Sequence, residues 1–298
     1  MSVPLPELSV VVVSLGDATA LASMISALAS EVDGAKVEVI VPAPPRVERL
    51  LQGVVPLPAW VRVVPLAEGD DDTWRMRARG AAAAQAPVIA TLEDHALPTI
   101  GWASEVLHAH ASAAHAAIGG VVEKSRPDGM AGWAMYFFDY ARYIPPQEAG
   151  ARRYLTACNV SYKRSALRDI ASVWAVTMHE TEVHFALVSR GHTLWLDPRL
   201  VVRQRRVISL GGGIRELGRH GRLYGSDVAR TLTRTGRLLR IAGIPLVPVV
   251  HMARSLQHPL RSPEMRGGYL LALPALVAYS VAWALGEGAG LLRTGRAR

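Results

Sequence analysis

The apolar run Val88–Leu92 ends abruptly in Glu93-Asp94-His95, two carboxylates and an imidazole delivered together at the end of a strand-length segment. Two readings fit these residue types. One is a polar turn closing a strand. The other is a divalent-cation site, because carboxylate oxygens suit Mg²⁺ or Mn²⁺ and an imidazole adds a ligand for Mn²⁺. Asp70-Asp71-Asp72 is a rival acidic cluster, but it precedes Trp74 and does not follow a buried strand. It reads as a solvated turn, with Asp72 capping the next helix. His108, His110 and His115 cannot share one helix face, since positions i and i+2 diverge, and they are expected at the surface. Cys158 is the single cysteine, which excludes an internal disulfide and leaves no zinc-type spacing.

Strands and helices alternate around the acidic trio. Leu8–Val13 is a continuous Val-rich run, the pattern of a strand covered on both faces. Asp17 then caps a helix whose Leu21, Met24, Ile25 and Leu28 recur at helical spacing. Val37–Val41 and Val61–Val64 read as further strands, Arg46–Gln52 as a short helix opened by prolines, and Trp74–Gln85 as an alanine-rich helix. This alternation predicts an α/β fold with a mostly parallel central sheet and flanking helices. Ligands of such sheets bind beyond the carboxyl ends of the strands, where Glu93-Asp94-His95 stands. Downstream, Trp102–Ala114 is a predicted helix and Ala117–Glu123 a strand. The aromatic stretch GWAMYFFDYARY is either a core-packing helix or a wall for an acceptor. A helix ending at Gly191 precedes the strand-like Thr193–Leu196.

The chain's 298 residues suffice for one large α/β domain plus an appendage. Half of them are hydrophobic and 19% are charged, with a net charge of +8, which favours an anionic partner. The opening MSVPLPELSVVVVS lacks a basic region and a cleavage site, so synthesis is expected to begin in the cytoplasm. After the α/β domain over 1–206, the segment 207–240 interleaves arginines with Leu, Ile and Tyr, as a basic amphipathic helix does. Clustered arginines also serve nucleic acid, but no nucleic-acid motif accompanies them and no such partner is expected. In the hydrophobic tail over 241–298, Ile241–Val250 is broken by two prolines and too short to span alone. Tyr269–Leu292 is long enough to span and is interrupted only by Glu287, which is expected to reach the interface. Arginines at 261, 266, 293, 296 and 298 flank it and favour a hairpin on the cytoplasmic side. Truncation after about residue 240 is expected to give a more soluble chain.

With these residues placed, the region 7–206 resembles the family-two glycosyltransferases, inverting enzymes with a nucleotide-diphospho-sugar transferase (GT-A type) fold. Arg77-Ala78-Arg79-Gly80 stands where that family carries an Arg-Asn-x-Gly helix, and Glu93-Asp94-His95 where it carries Asp-x-Asp. Pro98 and Gly101-Trp102 look like the family's continuation of that strand. Asn159 with Tyr162-Lys163-Arg164 is similar to its "N-x-x-aromatic-basic-R" segment, and His179-Glu180 to its Glu-Asp pair. The resemblance implies a nucleotide-sugar donor held by Arg77, Arg79, Glu93, Asp94 and Asn159. It also implies a divalent cation (Mn²⁺ or Mg²⁺) on Asp94 and His95, and Glu180 as the base that activates a hydroxyl acceptor, with Glu182 its local competitor. The membrane-associated tail implies a lipid surface as partner and a catalytic domain on the cytoplasmic face of the membrane. Glu93 and His95 replace the family's two aspartates. Val41-Pro42-Ala43 stands where an aspartate recognises the base, and Gln204 where a metal-binding histidine is common. A binding protein of the same fold without turnover is the alternative.

Overall fold

The structure, a computed structural model, describes residues 5–14, 16–32, 36–52, 57–70, 72–125, 129–256 and 263–292. Asp71 of the acidic turn and four of the flanking arginines, Arg261, Arg293, Arg296 and Arg298, lie outside the described residues. The chain divides into two compact units. The first joins Met1–Ser125 to Tyr143–Arg205, and the second joins Arg126–Arg142 to Arg206–Arg298.

The first unit is α/β. Its elements run β1 (Leu8–Val13), α1 (Ala18–Ala29), β2 (Val37–Ala43), α2 (Pro45–Gln52), β3 (Val61–Pro65), α3 (Thr73–Ala83) and β4 (Val88–Glu93). β5 (Ala96–Pro98), α4 (Trp102–Ser112) and β6 (Ala117–Lys124) follow. After α5 (Met130–Tyr140), which belongs to the second unit, come β7 (Gly150–Arg152), β8 (Asn159–Lys163), α6 (Arg164–Asp169), α7 (Ala171–Trp174), α8 (Glu180–Ser189) and β9 (Leu194–Gln204).

Among the described residues, nine strands form one mixed sheet in the order β3-β2-β1-β4-β8-β6-β9-β5, with β7 paired to β9. β1 to β4 are mutually parallel. β8 runs antiparallel to both β4 and β6, and β9 is parallel to β6. β5 and β7 run antiparallel to β9, so six strands share a direction and β5, β7 and β8 oppose it. Every residue of β1 is buried, as its unbroken Val run requires of a strand covered on both faces. Asp17 and Asp72 cap α1 and α3 as the sequence predicts, accepting from Thr19 N at 2.8 Å and from Arg75 N at 2.8 Å. The expected Thr193–Leu196 is the start of an 11-residue strand.

Two departures have local causes. His110 is buried, not superficial: its Nε2 lies 2.9 Å from Ser161 Oγ, and burial together with nearby Lys163 pushes its pKa down to about 4. β8 is a strand inside the motif Asn159–Lys163. It is covered on both faces, so its polar residues are inside as well and no alternation marks it.

The second unit is helical. α5 is joined by α9 (Leu210–Thr231), α10 (Arg234–Ala242), a 3-10 turn (Ile244–Leu246), α11 (Val247–Ser255) and α12 (Pro263–Leu292). Gly213, Leu217, Gly221 and Gly225 recur every fourth residue on the buried face of α9. There the α12 backbone approaches so closely that a Cβ on Gly221 would overlap the Trp283 carbonyl. The aromatic face of α5 packs on α12: Phe137 meets Tyr269 edge-on at 5.3 Å, and a Cβ on Gly268 would stand 2.7 Å from the Trp133 ring. That packing weighs against the expected benefit of truncation near residue 240, since Trp133 and Phe137 would lose their contacts with α12.

Met265–Leu292 is 28 residues with a hydropathy of 1.7, long and apolar enough to cross a membrane. At about 1.5 Å per residue it exceeds the roughly 30 Å of a bilayer core. α10 and the helical stretch Ile244–Ser255 are bent by 43° and pass the same test only as a pair. Glu287 does not reach outward as expected. It is 1% exposed and paired with Arg240 at 2.7 Å, because a carboxylate in apolar surroundings is held only by a partner.

Candidate functional site

The strand order leaves β1 outward in one direction, through β2 and β3, and in the other through β4. That reversal falls at the carboxyl ends of β1 and β4, the usual ligand position of an open α/β sheet. Glu93 is the last residue of β4, and Asp94 and His95 form the turn beyond it. The turn is tied to β1 by two bonds. Asp94 N donates to Val13 O at 3.0 Å, and Ser14 Oγ donates to Asp94 Oδ2 at 2.7 Å. It is also tied to β9, where Arg205 N donates to His95 O at 2.7 Å and Gln204 pairs with Ala96. Gln204 therefore stands beside the trio, its Oε1 accepting from Lys124 Nζ at 2.9 Å.

Within the trio, His95 Nε2 lies 3.4 Å from Glu93 Oε2 and Nδ1 lies 3.7 Å from Asp94 Oδ1. Asp94 and His95 are almost wholly buried. Arg77 reaches the same place from α3, ion-paired with Glu93 and 3.5 Å from Glu180 Oε2. Burial alone would depress the guanidinium pKa, but the carboxylates of Glu93 and Glu180 outweigh it and raise the pKa. α3 sits deep enough for this contact because Gly80 carries no side chain: a Cβ there would overlap Val11 and crowd Pro42. Glu180 opens α8, which is fastened to the start of α3. Met178 N donates to Trp74 O at 3.0 Å, and the His179 ring tilts against Trp74 at 4.4 Å. The family-like segments Arg77–Gly80, Glu93–His95 and His179-Glu180 are thus brought together.

Two other predicted donor-binding residues lie apart from this constellation. Arg79 turns outward, half exposed, with Asp70 at 3.9 Å. Asn159 is buried with its amide engaged: Nδ2 donates to Val121 O (3.0 Å) and Leu200 O (2.9 Å), and Oδ1 accepts from Trp102 Nε1 (3.0 Å). Its contacts hold β8, β6, β9 and α4 in register. Glu182 diverges from Glu180 and lines a groove of about 560 Å³ with Tyr154, Thr181 and Phe185.

Behind Glu180 lies a buried neutral pair, Tyr162 Oη 2.9 Å from His184 Nε2. Leu155 N donates to His184 Nδ1 at 3.4 Å, which leaves the ring proton on Nε2 to face Tyr162. Burial pushes His184 down to about 4 and the Tyr162 phenol up, the Glu180 charge adding to the latter. Sequence reasoning passed over Ser14 and Arg46. Ser14 ends the β1 run as Glu93 ends that of β4, a signal the strand-end rule makes readable. Arg46 opens α2 beyond β2 and lies flat against Gly16, whose φ of +98° and missing Cβ leave room for the guanidinium.

The donor types fit a divalent cation. Mg²⁺ is commonly held by one or two carboxylates with substrate phosphates and water completing the shell, and Asp94 is a carboxylate of that type, with the His95 imidazole beside it. Among the described residues, no group of three or more His, Cys, Asp or Glu is arranged to hold an ion. The chain matches no family model, and no curated protein is significantly similar to it.

Proposed function

We propose that the chain is a membrane-associated glycosyltransferase of the inverting, family-two kind. It would move a sugar from a nucleotide-diphospho-sugar to a hydroxyl acceptor on the cytoplasmic face of the membrane. The observation that supports this reading is the convergence of Arg77, Glu93, Asp94, His95 and Glu180 near the carboxyl ends of β1 and β4. Transfer breaks the bond between the anomeric carbon and the diphosphate and forms one to the acceptor oxygen. Glu180 takes the acceptor proton. Arg77 supplies charge for the departing phosphates. Ser14 orients Asp94, which with His95 would hold a divalent cation. When bound, that ion would supply Lewis-acid neutralisation of the diphosphate.

Binding without turnover is the second reading, and one contact favours it: Glu180 Oε2 stands 3.5 Å from Arg77, an ion pair that occupies the carboxylate an acceptor hydroxyl would need. Assays of donor hydrolysis and transfer across uridine, guanosine and thymidine diphospho-sugars, with Mn²⁺ or Mg²⁺, separate the two. Turnover lost in Asp94→Asn and His95→Ala supports the enzyme. Donor binding without turnover supports the second reading, and neither binding nor turnover on any donor removes both.

A further inference from the structure

A recess of about 410 Å³ opens in the helical unit among α9, α10, α11 and α12. Its polar floor is built and fixed. Glu287 accepts from Arg240 Nε at 2.7 Å and from Trp283 Nε1 at 3.3 Å, and the Arg240 guanidinium stands 5.9 Å over the Tyr224 ring. Glu287 offsets the charge of Arg240. Arg254, also in the lining and exposed, makes no ion pair among the described residues, so the described lining carries one more positive charge than negative. Its rim is apolar and uncovered: Leu239 is 70% exposed and Leu246 64%. A fixed, neutral Arg240–Glu287 floor with the exposed Arg254 cation beside exposed leucines fits an amphiphile with one negative charge. α12, which forms one wall, is long and apolar enough to stand among lipids.

We propose that this recess binds an anionic glycerophospholipid, its phosphodiester on the Arg254 guanidinium and an acyl chain along Leu239 and Leu246. Basic recesses between membrane helices take lipid headgroups by this combination of charge and apolar cover. A soluble anion would leave the leucines bare, and a zwitterionic lipid would leave the charge of Arg254 unmatched. The inference shares with the proposed function only the membrane placement of α12 and is independent of glycosyl transfer.

The test uses the full chain, delipidated in detergent and returned to vesicles of phosphatidylcholine with or without about 20% phosphatidylglycerol. Lipid retained after detergent extraction is then read by native mass spectrometry. Wild type should retain phosphatidylglycerol at least about tenfold over phosphatidylcholine. Arg254→Gln should lose that preference while its melting temperature in pure phosphatidylcholine is unchanged, and Leu246→Gln should weaken retention of both lipids. Equal retention of the two lipids by wild type, or an intact preference in Arg254→Gln, would overturn the proposal. So would full displacement by glycerol 3-phosphate, which would mark a site for a free anion. A protein that never enters the vesicles fails in its membrane placement, a separate result read by carbonate washing.

Discussion

Glu180 and Glu182 sit two residues apart at the start of one helix, yet they face different neighbours: Arg77 for the first and the Tyr154–Phe185 groove for the second. If Glu180 is the base, Glu180→Gln lowers turnover by about 10²-fold or more with donor affinity largely kept. Steady-state kinetics with donor titration reads both quantities. The same loss in Glu182→Gln, with Glu180→Gln active, would move the base to the groove. A second expectation concerns the buried imidazoles. His110 and His184 fall from 6.5 to about 4 on folding. Between those values the unfolded chain binds protons that the folded chain refuses, so stability falls as pH drops from about 6.5 towards 4 and is level above that window. Each contributes on the order of 3 kcal/mol. Urea denaturation across pH should show this slope, flattened in His110→Gln/His184→Gln; equal slopes in both proteins would contradict it. The acidic trio was legible because a buried strand cannot end in three polar residues without a reason. Asn159 was legible as special but not as structural, because only the fold shows which carbonyls surround its amide. His110 shows the converse limit. Helical spacing excludes a shared face for three histidines, yet it does not say that one of them meets Ser161.

At the scale of elements, glycine decides how closely helices approach. A Cβ on Gly221 of α9 would overlap the Trp283 carbonyl of α12, whereas one on Gly211 of the same helix meets nothing within 4 Å. The same substitution should therefore act with opposite sign. Gly221→Ala forces the helices apart and destabilises by about 1–3 kcal/mol. Gly211→Ala removes backbone freedom from the unfolded chain and stabilises by up to about 1 kcal/mol. Thermal unfolding of the two variants in one detergent makes the comparison, and a stable Gly221→Ala would mean that α9 does not rest on α12. The α/β alternation of the first half was readable because strands buried on both faces announce themselves as unbroken Val runs. β5, β7 and β8 were not readable, since two are three residues long and the third buries Asn159 and Ser161 beside Val160 and Tyr162. The basic segment 207–240 reads as one amphipathic helix. The break at Leu232-Thr233, where Thr233 caps α10 through Gly236 N at 3.2 Å, divides it in two.

For the whole molecule, the two faces of α12 carry the membrane argument. Ala272, Ala275, Leu276 and Tyr279 are buried, while Leu270, Val277, Val281 and Leu285 on the opposite face are exposed. A helix apolar on its uncovered face is suited to lipid and poorly suited to water. Each centrally placed Leu or Val gains about 0.3–0.6 kcal/mol there. Full-length protein should therefore stay with membranes through high salt and alkaline carbonate, and release by that wash would sink the membrane placement. A chain ended after residue 240 should aggregate, because α5 then shows Trp133 and Phe137 to solvent. Light scattering of the truncated chain, with and without replacement of 126–142 by a short polar linker, tests this. A clear solution of the unmodified truncation would refute it.

The helical unit is not contiguous in sequence: the chain leaves the α/β unit after residue 125, makes α5, and returns at residue 143. This has a consequence for biosynthesis. α5 ends at residue 140 and α12 at residue 292, so 152 residues (292 minus 140) separate the aromatic helix from the end of its cover. At ~5–20 residues per second, translation leaves that helix without α12 for about 8–30 s. During the same interval β7, β8 and β9 must be added to a sheet that so far pairs only β1 to β4, since β6 joins it through β8 and β9 and β5 through β9. The nascent chain therefore carries a bare aromatic face before the helix that covers it exists. Synthesis at a membrane, or a chaperone that holds 130–140, would shield that face in the interval.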